Sequence, residues 1–325
     1  MEALAASGDW IERYLLQLTT QRQLSPHTIS AYRRDLLELR AFLDCSPKDS
    51  IAAGGAGWTG VVHADIRRFA SKLHGQGLTA RSIARKLSSW RGFFNWLSRH
   101  AALPANPVDG VRAPKRPKSL PKALSVDAAV HLVATPSQLH ANPEPADLCN
   151  RAMFELLYSS GLRVSELAGL DVAYAKAEGA RSASLGWIDL DAREVIVTGK
   201  GNKMRRVPVG SHAAAALATW LAVRAAPADG SGALFVSGRG ARMSPRVIQL
   251  RLKAHGLKVG TGVNLHPHVL RHSFASHVLQ SSGDLRAVQD MLGHASITST
   301  QVYTALDFQH LSAVYDQAHP RAKTK

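Results

Sequence analysis

The sequence contains very little cysteine. Two cysteines are present in 325 residues, Cys45 and Cys149, and they lie far apart in the chain. Disulfide-stapled domains and zinc modules use several closely spaced cysteines, so both classes are excluded. A single disulfide is conceivable, but two buried free thiols in a reducing compartment are the simpler prediction, and neither thiol is expected to be functional.

Long apolar runs and targeting signals are missing as well. No stretch of about 18 apolar residues occurs, and residues 1–10 lack the basic start of a signal peptide. A Gly-x-x-x-x-Gly-Lys-Ser/Thr nucleotide loop and zinc-type ligand spacing are also absent. We therefore expect a cytoplasmic protein with no membrane association and no metal or nucleotide cofactor.

Acidic residues are scarce beside basic ones. The chain has 24 Asp+Glu against 40 Lys+Arg, which gives a formal net charge of +16. Such an excess indicates a polyanionic partner, usually a nucleic acid; a membrane surface would suit the charge but not the lack of apolar runs. The length is suited to two domains, and 45% hydrophobic residues can form their cores.

The first third of the chain has the pattern of a helical domain. Ser25-Pro26 is typical of a helix start, because serine caps and proline suits the first turn. Further helices are predicted over 64–74 and from Thr79 through residue 97.

Positive charge is concentrated in residues 61–122. This segment holds thirteen Lys+Arg and two acids, a net of +11 (13 − 2). A solvated face usually carries both signs, so a phosphate-binding face is favoured. The candidate DNA contacts in these helices are Arg67, Arg81, Arg85, Lys86 and Arg91.

A proline-rich basic stretch follows and cannot continue a helix. We predict a helical domain over 1–112, a linker over 113–122 and a second domain over 123–325. Lys115 in the linker is a candidate DNA contact, with a merely solvated tether as the alternative.

The second domain mixes helices with a few strands, so the fold class is mainly α with a small β-sheet. Helices are predicted after Ser125 and over 147–159. Strands are predicted over 185–189, 194–198 and 205–209, with a glycine-rich turn at 199–203.

Three residues of this domain could bind a phosphate. Arg163 could bind two phosphate oxygens with its planar guanidinium group, although for an arginine taken alone an ion pair with Glu166 or another carboxylate is the favoured interpretation. His268 and Arg271 are three positions apart on a helix that Pro267 begins, so they share one face.

Two further candidates come later in the chain. His294 follows a glycine that ends a predicted helix, and Tyr303 lies nine positions beyond it (303 − 294). A lone tyrosine is usually a packing residue. We interpret His272 and His277 as structural, because helical histidines usually pack or cap.

Together these motifs resemble a known pattern. Any one of them is weak, but six residues in order at compatible spacing are hard to obtain by chance. In order they are Arg163 in Gly-Leu-Arg-Val-Ser-Glu-Leu, Lys200 in Thr-Gly-Lys-Gly-Asn-Lys, His268-x-x-Arg271, Leu-Gly-His294 and Tyr303. The set is similar to the tyrosine recombinase (lambda-integrase-type) family over nearly the whole chain, and the ending at 306–322 looks like the Xer branch.

This resemblance implies a helical core-binding domain and an α+β catalytic domain that form a clamp around DNA. It implies a site-specific recombinase that works through a 3′-phosphotyrosyl intermediate and resolves chromosome dimers. The implied partners are a double-stranded DNA recombination site and a XerD-like recombinase in a cyclic heterotetramer, and a DNA translocase is left open. The tail from residue 307 would pack on a neighbouring subunit, with its own domain as the alternative.

The implied chemistry needs no metal. Phosphodiester cleavage requires charge neutralisation, a proton acceptor for the nucleophile and a proton donor for the leaving group. Arg163, Arg271 and His294 would bind the phosphate, His268 would take the proton of the nucleophile Tyr303, and Lys200 would protonate the departing 5′ oxygen.

The spacing departs from the family at one place. Arg163 and Lys200 are 37 positions apart (200 − 163), longer than expected, and the excess lies in an insertion at 174–183. A surface loop lengthens at little entropic cost. Lys203, on the same turn, therefore stays an alternative to Lys200 and a candidate DNA contact.

Other functional classes are consistent with the same excess of positive charge. A catalytically silent DNA-binding protein, a mobile-element integrase and a type IB topoisomerase remain alternatives. Arg246, with Arg242 and Gln249, is placed near a helix start where it could contact bases or phosphates.

Overall fold

The structure is a computed structural model. It describes residues 9–45, 57–115, 123–134, 143–176, 183–199, 203–262, 265–293 and 305–322, with the backbone alone for 305–310. The chain divides into two compact units, Met1–Ser119 (unit 1) and Leu120–Lys325 (unit 2). Helices dominate both, and a small antiparallel sheet lies in unit 2. This confirms the expected fold class, whereas the limits 1–112 and 123–325 stay a prediction.

Two of the helix starts in unit 1 follow directly from local chemistry. The Ser25 side chain accepts a hydrogen bond from the backbone N–H of Thr28, and Thr79 accepts one from Ser82. Both predicted starts are confirmed, since each hydroxyl satisfies a donor that the helix leaves unpaired. The helices are α1 (Trp10–Thr20), α2 (Pro26–Asp44), α3 (His63–Gly75) and α4 (Ala80–Leu97).

Helix α1 is not among the helices predicted from the sequence. Asp9 caps it by accepting from the N–H of Ile11. Its buried residues are Ile11, Tyr14, Leu15 and Leu18, which recur at helical spacing. The signal is therefore present in the sequence, in a segment of only eleven residues.

The core of unit 1 is rich in aromatic rings. Trp90, Phe93 and Phe94 are fully buried, and Trp58 stands edge-on to Phe93 with 4.8 Å between the ring centroids. The indole N–H of Trp90 donates to the carbonyl of Asp35 at 2.9 Å, so its polar atom is satisfied inside the core.

Unit 2 is built around helix α6, whose residues 152–160 are all buried and which packs against α8 and α10. The unit contains α5 (Val126–Ala134), α6 (Pro145–Ser160), α7 (Val164–Ala168), β1 (Gly186–Asp189), β2 (Glu194–Thr198), β3 (Met204–Pro208), α8 (Ser211–Val223), α9 (Pro245–Val259), α10 (Pro267–Ser282), α11 (Leu285–Leu292) and α12 (Ala305–Ala318).

The three strands form an antiparallel sheet in the order β1-β2-β3. Ile188 pairs with Val195, and Val195 pairs with Val207, so these side chains share the inner face. The predicted strands are confirmed with limits shifted by at most one residue. The backbone N–H of Gly199 donates to the carbonyl of Lys203 at 2.8 Å and closes the β2–β3 hairpin.

The insertion at 174–183 is described only at its two ends. Ser184 exchanges two hydrogen bonds with Ala175, both at 2.9 Å. The Tyr174 ring lies against Trp187 of β1, with 4.8 Å between centroids. The insertion is thus closed at its base by the sheet edge, and residues 177–182 lie outside the described part.

The end of the chain packs on its own unit. Tyr315 is fully buried and lies 2.7 Å from the hydroxyl of Ser159, oxygen to oxygen. Arg321 forms a buried ion pair with Glu155, and Ser211 N–H donates to the carbonyl of Ala322. Residues 311–322 of the single chain therefore adopt the alternative arrangement, in which the tail packs on its own domain, because their apolar and charged partners lie within unit 2.

Both cysteines are free thiols, as predicted. Cys149 is buried in α6, but Cys45 is exposed at the end of α2, so the prediction that both are buried is wrong for Cys45.

Among the described residues, none of the helices combines the length and the apolar character needed to cross a membrane.

Candidate active site

Arg163 stands at a sharp turn between two helices. Helix α6 ends at Gly161, whose φ of +56° is left-handed, and a Cβ there would lie 2.4 Å from a ring carbon of Phe274. Only glycine suits both conditions. The chain then enters α7, and Arg163 occupies its N-cap position.

The guanidinium group of Arg163 is fixed by hydrogen bonds but is still partly exposed to solvent. It donates to Glu166 Oε1 at 2.7 Å and to the carbonyl of Gly293 at 3.2 Å, and its backbone N–H donates to Glu166 Oε2 at 2.8 Å. Its side chain is still 33% exposed. The ion pair that competed with a phosphate-binding role is present, and the exposed face leaves room for that role.

Arg271 is buried in α10 directly behind this turn. It donates to the carbonyl of Gly161 and to the carbonyl of Leu292, both at 2.6 Å. Burial, and next the positive charge of Arg163, lower the pKa of Arg271 from 12.5 to about 10. The guanidinium therefore keeps its charge at neutral pH.

Glu166 and Arg205 complete the cluster. Arg205 in β3 donates to both carboxylate oxygens of Glu166, at 2.9 and 2.8 Å, and to the carbonyl of Met291 at 2.9 Å. Burial raises the pKa of Glu166, but Arg205 and Arg163 more than offset that effect and lower it overall. The carboxylate is therefore ionised.

Three arginines thus converge on the C-terminal end of α11. Its last carbonyls have no donor within the helix, and this end carries the negative pole of the helix dipole. Met291 accepts from Arg205, Leu292 from Arg271 and Gly293 from Arg163. With one carboxylate among three guanidinium groups, the cluster keeps a surplus of positive charge that suits an anion.

Arg205 was missed by the sequence analysis. The sequence does contain one signal for Arg205. Alternate residues of a β-strand face the same side, so Arg205 lies on the same face as the apolar Val207, which is the buried face of β3. A buried charge needs partners, and these partners are distant in sequence.

The remaining predicted site residues are only partly described. His268 lies exposed at the start of α10, one turn from Arg271, with its ring centroid 6.1 Å from that of His266. His294 follows Gly293 directly in the chain. Lys200, His294 and Tyr303 themselves lie outside the described residues.

His277 has a structural role, as expected. It is buried in α10, where Nδ1 lies 2.9 Å from the hydroxyl of Tyr158 and Nε2 lies 2.9 Å from the carbonyl of Leu124. Burial lowers its pKa, so the ring is neutral. His272 is exposed.

The predicted DNA contacts fall into two groups. The first group consists of exposed residues, whose charges face solvent: Arg67, Arg81, Lys115, Lys203 and Arg246.

The second group is engaged within the protein. Arg85, with 46% of its side chain exposed, binds both oxygens of Asp35. Arg91 donates to two carbonyls and lies 3.5 Å from the carboxylate of Asp109. Arg242 pairs with Asp171 and donates to the carbonyl of Leu170 at 2.9 Å, so it supports the end of α7.

The structure contradicts the prediction that Lys86 contacts DNA. It is 8% exposed, and its ammonium group pairs with Asp35 and Glu38. Because a buried charge persists only with such partners, Lys86 belongs to the interior of unit 1 and does not face a ligand.

No group of three or more His, Cys, Asp or Glu side chains within the described ranges is arranged to hold a metal ion.

Comparisons with known proteins agree with one another. The model of the phage integrase family matches residues 122–310, and that of the phage integrase N-terminal SAM-like domain matches residues 11–101. Tyrosine recombinase XerC 1 of Ralstonia nicotianae is 55% identical, over 100% of this chain and 97% of its own length. Tyrosine recombinase XerC of Pseudomonas aeruginosa (strain LESB58) is 46% identical, over 97% of this chain and 96% of its own.

Solved structures share the fold at lower identity. The XerH site-specific recombinase bound to a palindromic difH substrate matches with a TM-score of 0.68 and 18% identity, over 94% of each chain. A lambda integrase (75–356) dimer bound to a COC′ core site matches with a TM-score of 0.62 and 16% identity, over 90% of this chain and 98% of the other.

Proposed function

We propose that this chain, which belongs to the phage integrase family and is a site-specific tyrosine recombinase, cleaves DNA through a 3′-phosphotyrosyl intermediate and resolves chromosome dimers together with a XerD-like recombinase. The observation that carries the chemical part is the convergence of Arg163 and Arg271 on the end of α11, directly before His294.

Two arginines suit the charge of the reaction. A phosphodiester already carries one negative charge and gains more in the five-coordinate transition state, which fixed guanidinium groups stabilise. Arg163 presents an exposed face, and Arg271 adds charge from behind without being exposed. Their hydrogen bonds to backbone carbonyls hold them in place before DNA arrives.

In the proposed covalent step, Tyr303, His268 and Lys200 act on the phosphate that the two arginines bind. The hydroxyl oxygen of Tyr303 attacks the phosphorus while its proton passes to His268. The bond from phosphorus to the 5′ oxygen breaks, and Lys200 protonates that oxygen. In the reverse step a 5′ hydroxyl from the partner duplex attacks the phosphotyrosine and gives its proton to Lys200, the bond from phosphorus to the tyrosine oxygen breaks, and His268 returns the proton to Tyr303. One phosphodiester replaces another, so no external energy source is required.

The wider assignment rests on the XerC relatives. We propose a core-binding domain over 1–112, a linker over 113–122 and a catalytic domain over 123–325, which together clamp double-stranded DNA. Exposed Arg67, Arg81, Lys115, Lys203 and Arg246 contact its phosphates. The proposed assembly is a cyclic heterotetramer with the XerD-like partner in the cytoplasm, with a DNA translocase as a further candidate partner.

Strand exchange between two duplexes tests the biological part. The DNA is a duplex selected from a random pool by binding to this protein together with the XerD-like recombinase of the same organism. We expect joined products from two differently labelled duplexes only when both proteins are present. Equal exchange by this protein alone would instead favour a mobile-element integrase. DNA relaxation without exchange would favour a topoisomerase.

A further inference from the structure

Arg205 is too deeply buried to touch DNA itself. Its side chain is 4% exposed, and it lies on the inner face of the sheet. Removing a guanidinium group from water is costly, so such a residue persists only when its donors are engaged. Arg205 meets this requirement with Glu166 and the carbonyl of Met291.

The contact of Arg205 with Glu166 is bidentate, and Arg163 binds the same carboxylate. Arg205 binds both carboxylate oxygens, and Arg163 binds the same two oxygens through its side chain and its backbone N–H. A carboxylate held from both sides cannot rotate, so the position of Arg163 depends on Arg205. A lysine could supply the charge but not the paired geometry.

The Arg205 side chain packs against two glycines, and only Gly293 is so close that a side chain there would crowd it. A Cβ on Gly293 would lie 3.0 Å from Arg205 Cδ, and a Cβ on Gly199 would lie 3.4 Å from Arg205 Nη1. Gly199 immediately precedes Lys200. The guanidinium group therefore lies directly against the β2–β3 hairpin and the end of α11 at the same time.

We propose that Arg205 is a positioning residue that ties the β2–β3 hairpin, with its lysines, to the phosphate site built around Glu166 and Arg163. Arg205 joins three elements: β3, the short helix α7 through Glu166, and the end of α11 through Met291. This inference rests on the proposed chemistry, in which a hairpin lysine protonates the leaving 5′ oxygen.

A DNA substrate with sulfur in place of the bridging 5′ oxygen tests directly whether Arg205 positions the lysine. When the bridging 5′ oxygen is replaced by sulfur, the leaving group is a thiolate of much lower pKa, which departs without being protonated. A variant that has lost only lysine positioning should therefore recover its cleavage rate on the sulfur substrate. A variant that is merely less stable should be equally impaired on both substrates.

The experiment compares the full-length wild type with Arg205→Met, Arg205→Lys and the control Arg206→Met. Arg206 is the neighbouring, exposed arginine of β3 and pairs with Glu194. Single-turnover formation of the covalent adduct is measured at saturating protein on nicked duplexes with oxygen or sulfur at the cleavage site. DNA affinity and the melting temperature are measured in parallel.

We expect Arg205→Met to cleave the oxygen substrate about 100-fold more slowly, since displacements of about 1 Å cost rates of that order. On the sulfur substrate the cleavage rate of Arg205→Met relative to the wild type should be at least about tenfold higher than on the oxygen substrate. Its DNA affinity should stay within about twofold of the wild type. Arg205→Lys keeps the positive charge and serves as a second variant in case Arg205→Met does not fold. It should also cleave the oxygen substrate slowly and recover on the sulfur substrate. Arg206→Met should cleave normally.

Equal loss on both substrates, or full activity of Arg205→Lys, would overturn the inference. Failure of the proposed function is recognised separately, because then the wild type itself forms no adduct on either substrate.

Discussion

Single buried polar residues hold the end of the chain against unit 2. The ring of His319 stacks on Tyr315 with 5.0 Å between centroids and is also close to Tyr158 and Phe274. Its Nδ1 accepts a hydrogen bond from the backbone N–H of Arg321 at 3.1 Å. An imidazole that accepts at Nδ1 must be unprotonated there, so this packing requires the neutral ring.

His319 should therefore make stability depend on pH. Burial lowers the pKa of His319 from 6.5 to about 3. Between these values the unfolded chain binds a proton that the folded chain excludes, so stability is full above pH 6.5 and falls as the pH drops towards 3. The groups facing His319 are the buried Arg321–Glu155 pair, Tyr158, Tyr315 and His277, and the lowered pKa of His277 acts in the same direction.

The expected slope is about 1 kcal/mol per pH unit below pH 6 for this one residue. His319→Asn keeps an acceptor for Arg321 N–H but cannot take up a proton, so it should be less stable at pH 7.5 and lose less between pH 7.5 and 5. Urea unfolding of unit 2 at both pH values measures this, with exposed His272→Asn as the control. An unchanged pH slope in His319→Asn would contradict the assignment.

At the level of elements, the basic residues of α4 lie in chemically different environments. Arg81 is exposed near the start of the helix, whereas Lys86 points inward to Asp35 and Glu38. Arg85 lies between these extremes, partly exposed and bound to Asp35. Only the exposed charge is free to displace counterions from DNA.

Arg81→Gln should weaken DNA binding and reduce the slope of log affinity against log salt by about 1. Lys86→Met should leave the salt slope unchanged but lower stability by about 1–3 kcal/mol, because Glu38 and Asp35 lose a partner. Binding titrations at several salt concentrations, combined with urea unfolding, separate the two effects. A reduced slope for Lys86→Met would contradict its burial.

Elements with strong local signals could be predicted from the sequence. The caps at Ser25 and Thr79 gave the starts of α2 and α4, and the apolar runs gave the strands to within one residue. Helix α1 was missed, although its apolar spacing and Asp9 cap are as clear.

Long-range partners could not be predicted. Arg205 finds Glu166 39 positions earlier in the chain and Met291 86 positions later. Lys86 finds Asp35 51 positions away. Whether a basic residue faces solvent or a buried carboxylate depends on the folded packing, so sequence spacing alone assigned Lys86 to the wrong side of its helix.

For the whole molecule, charge and chemistry are divided between segments. Residues 61–122 carry a net +11 of the chain's +16, whereas the converging arginines lie in unit 2. A concentrated positive segment provides affinity that is independent of base sequence. In the proposed mechanism the paired arginines bind the one phosphate that is cleaved. Binding and cleavage should therefore be separable by mutation.

The most direct measurement is covalent trapping on DNA. Full-length protein and the XerD-like recombinase are mixed with the selected duplex, labelled and nicked next to the cleavage site so that the cut end cannot be rejoined. We expect a denaturant-resistant adduct for the wild type and for Tyr174→Phe, a control at an exposed tyrosine. No adduct is expected for Tyr303→Phe, although its DNA binding should be retained. An adduct that persists in Tyr303→Phe, or wild-type binding without any adduct, would contradict the proposed mechanism.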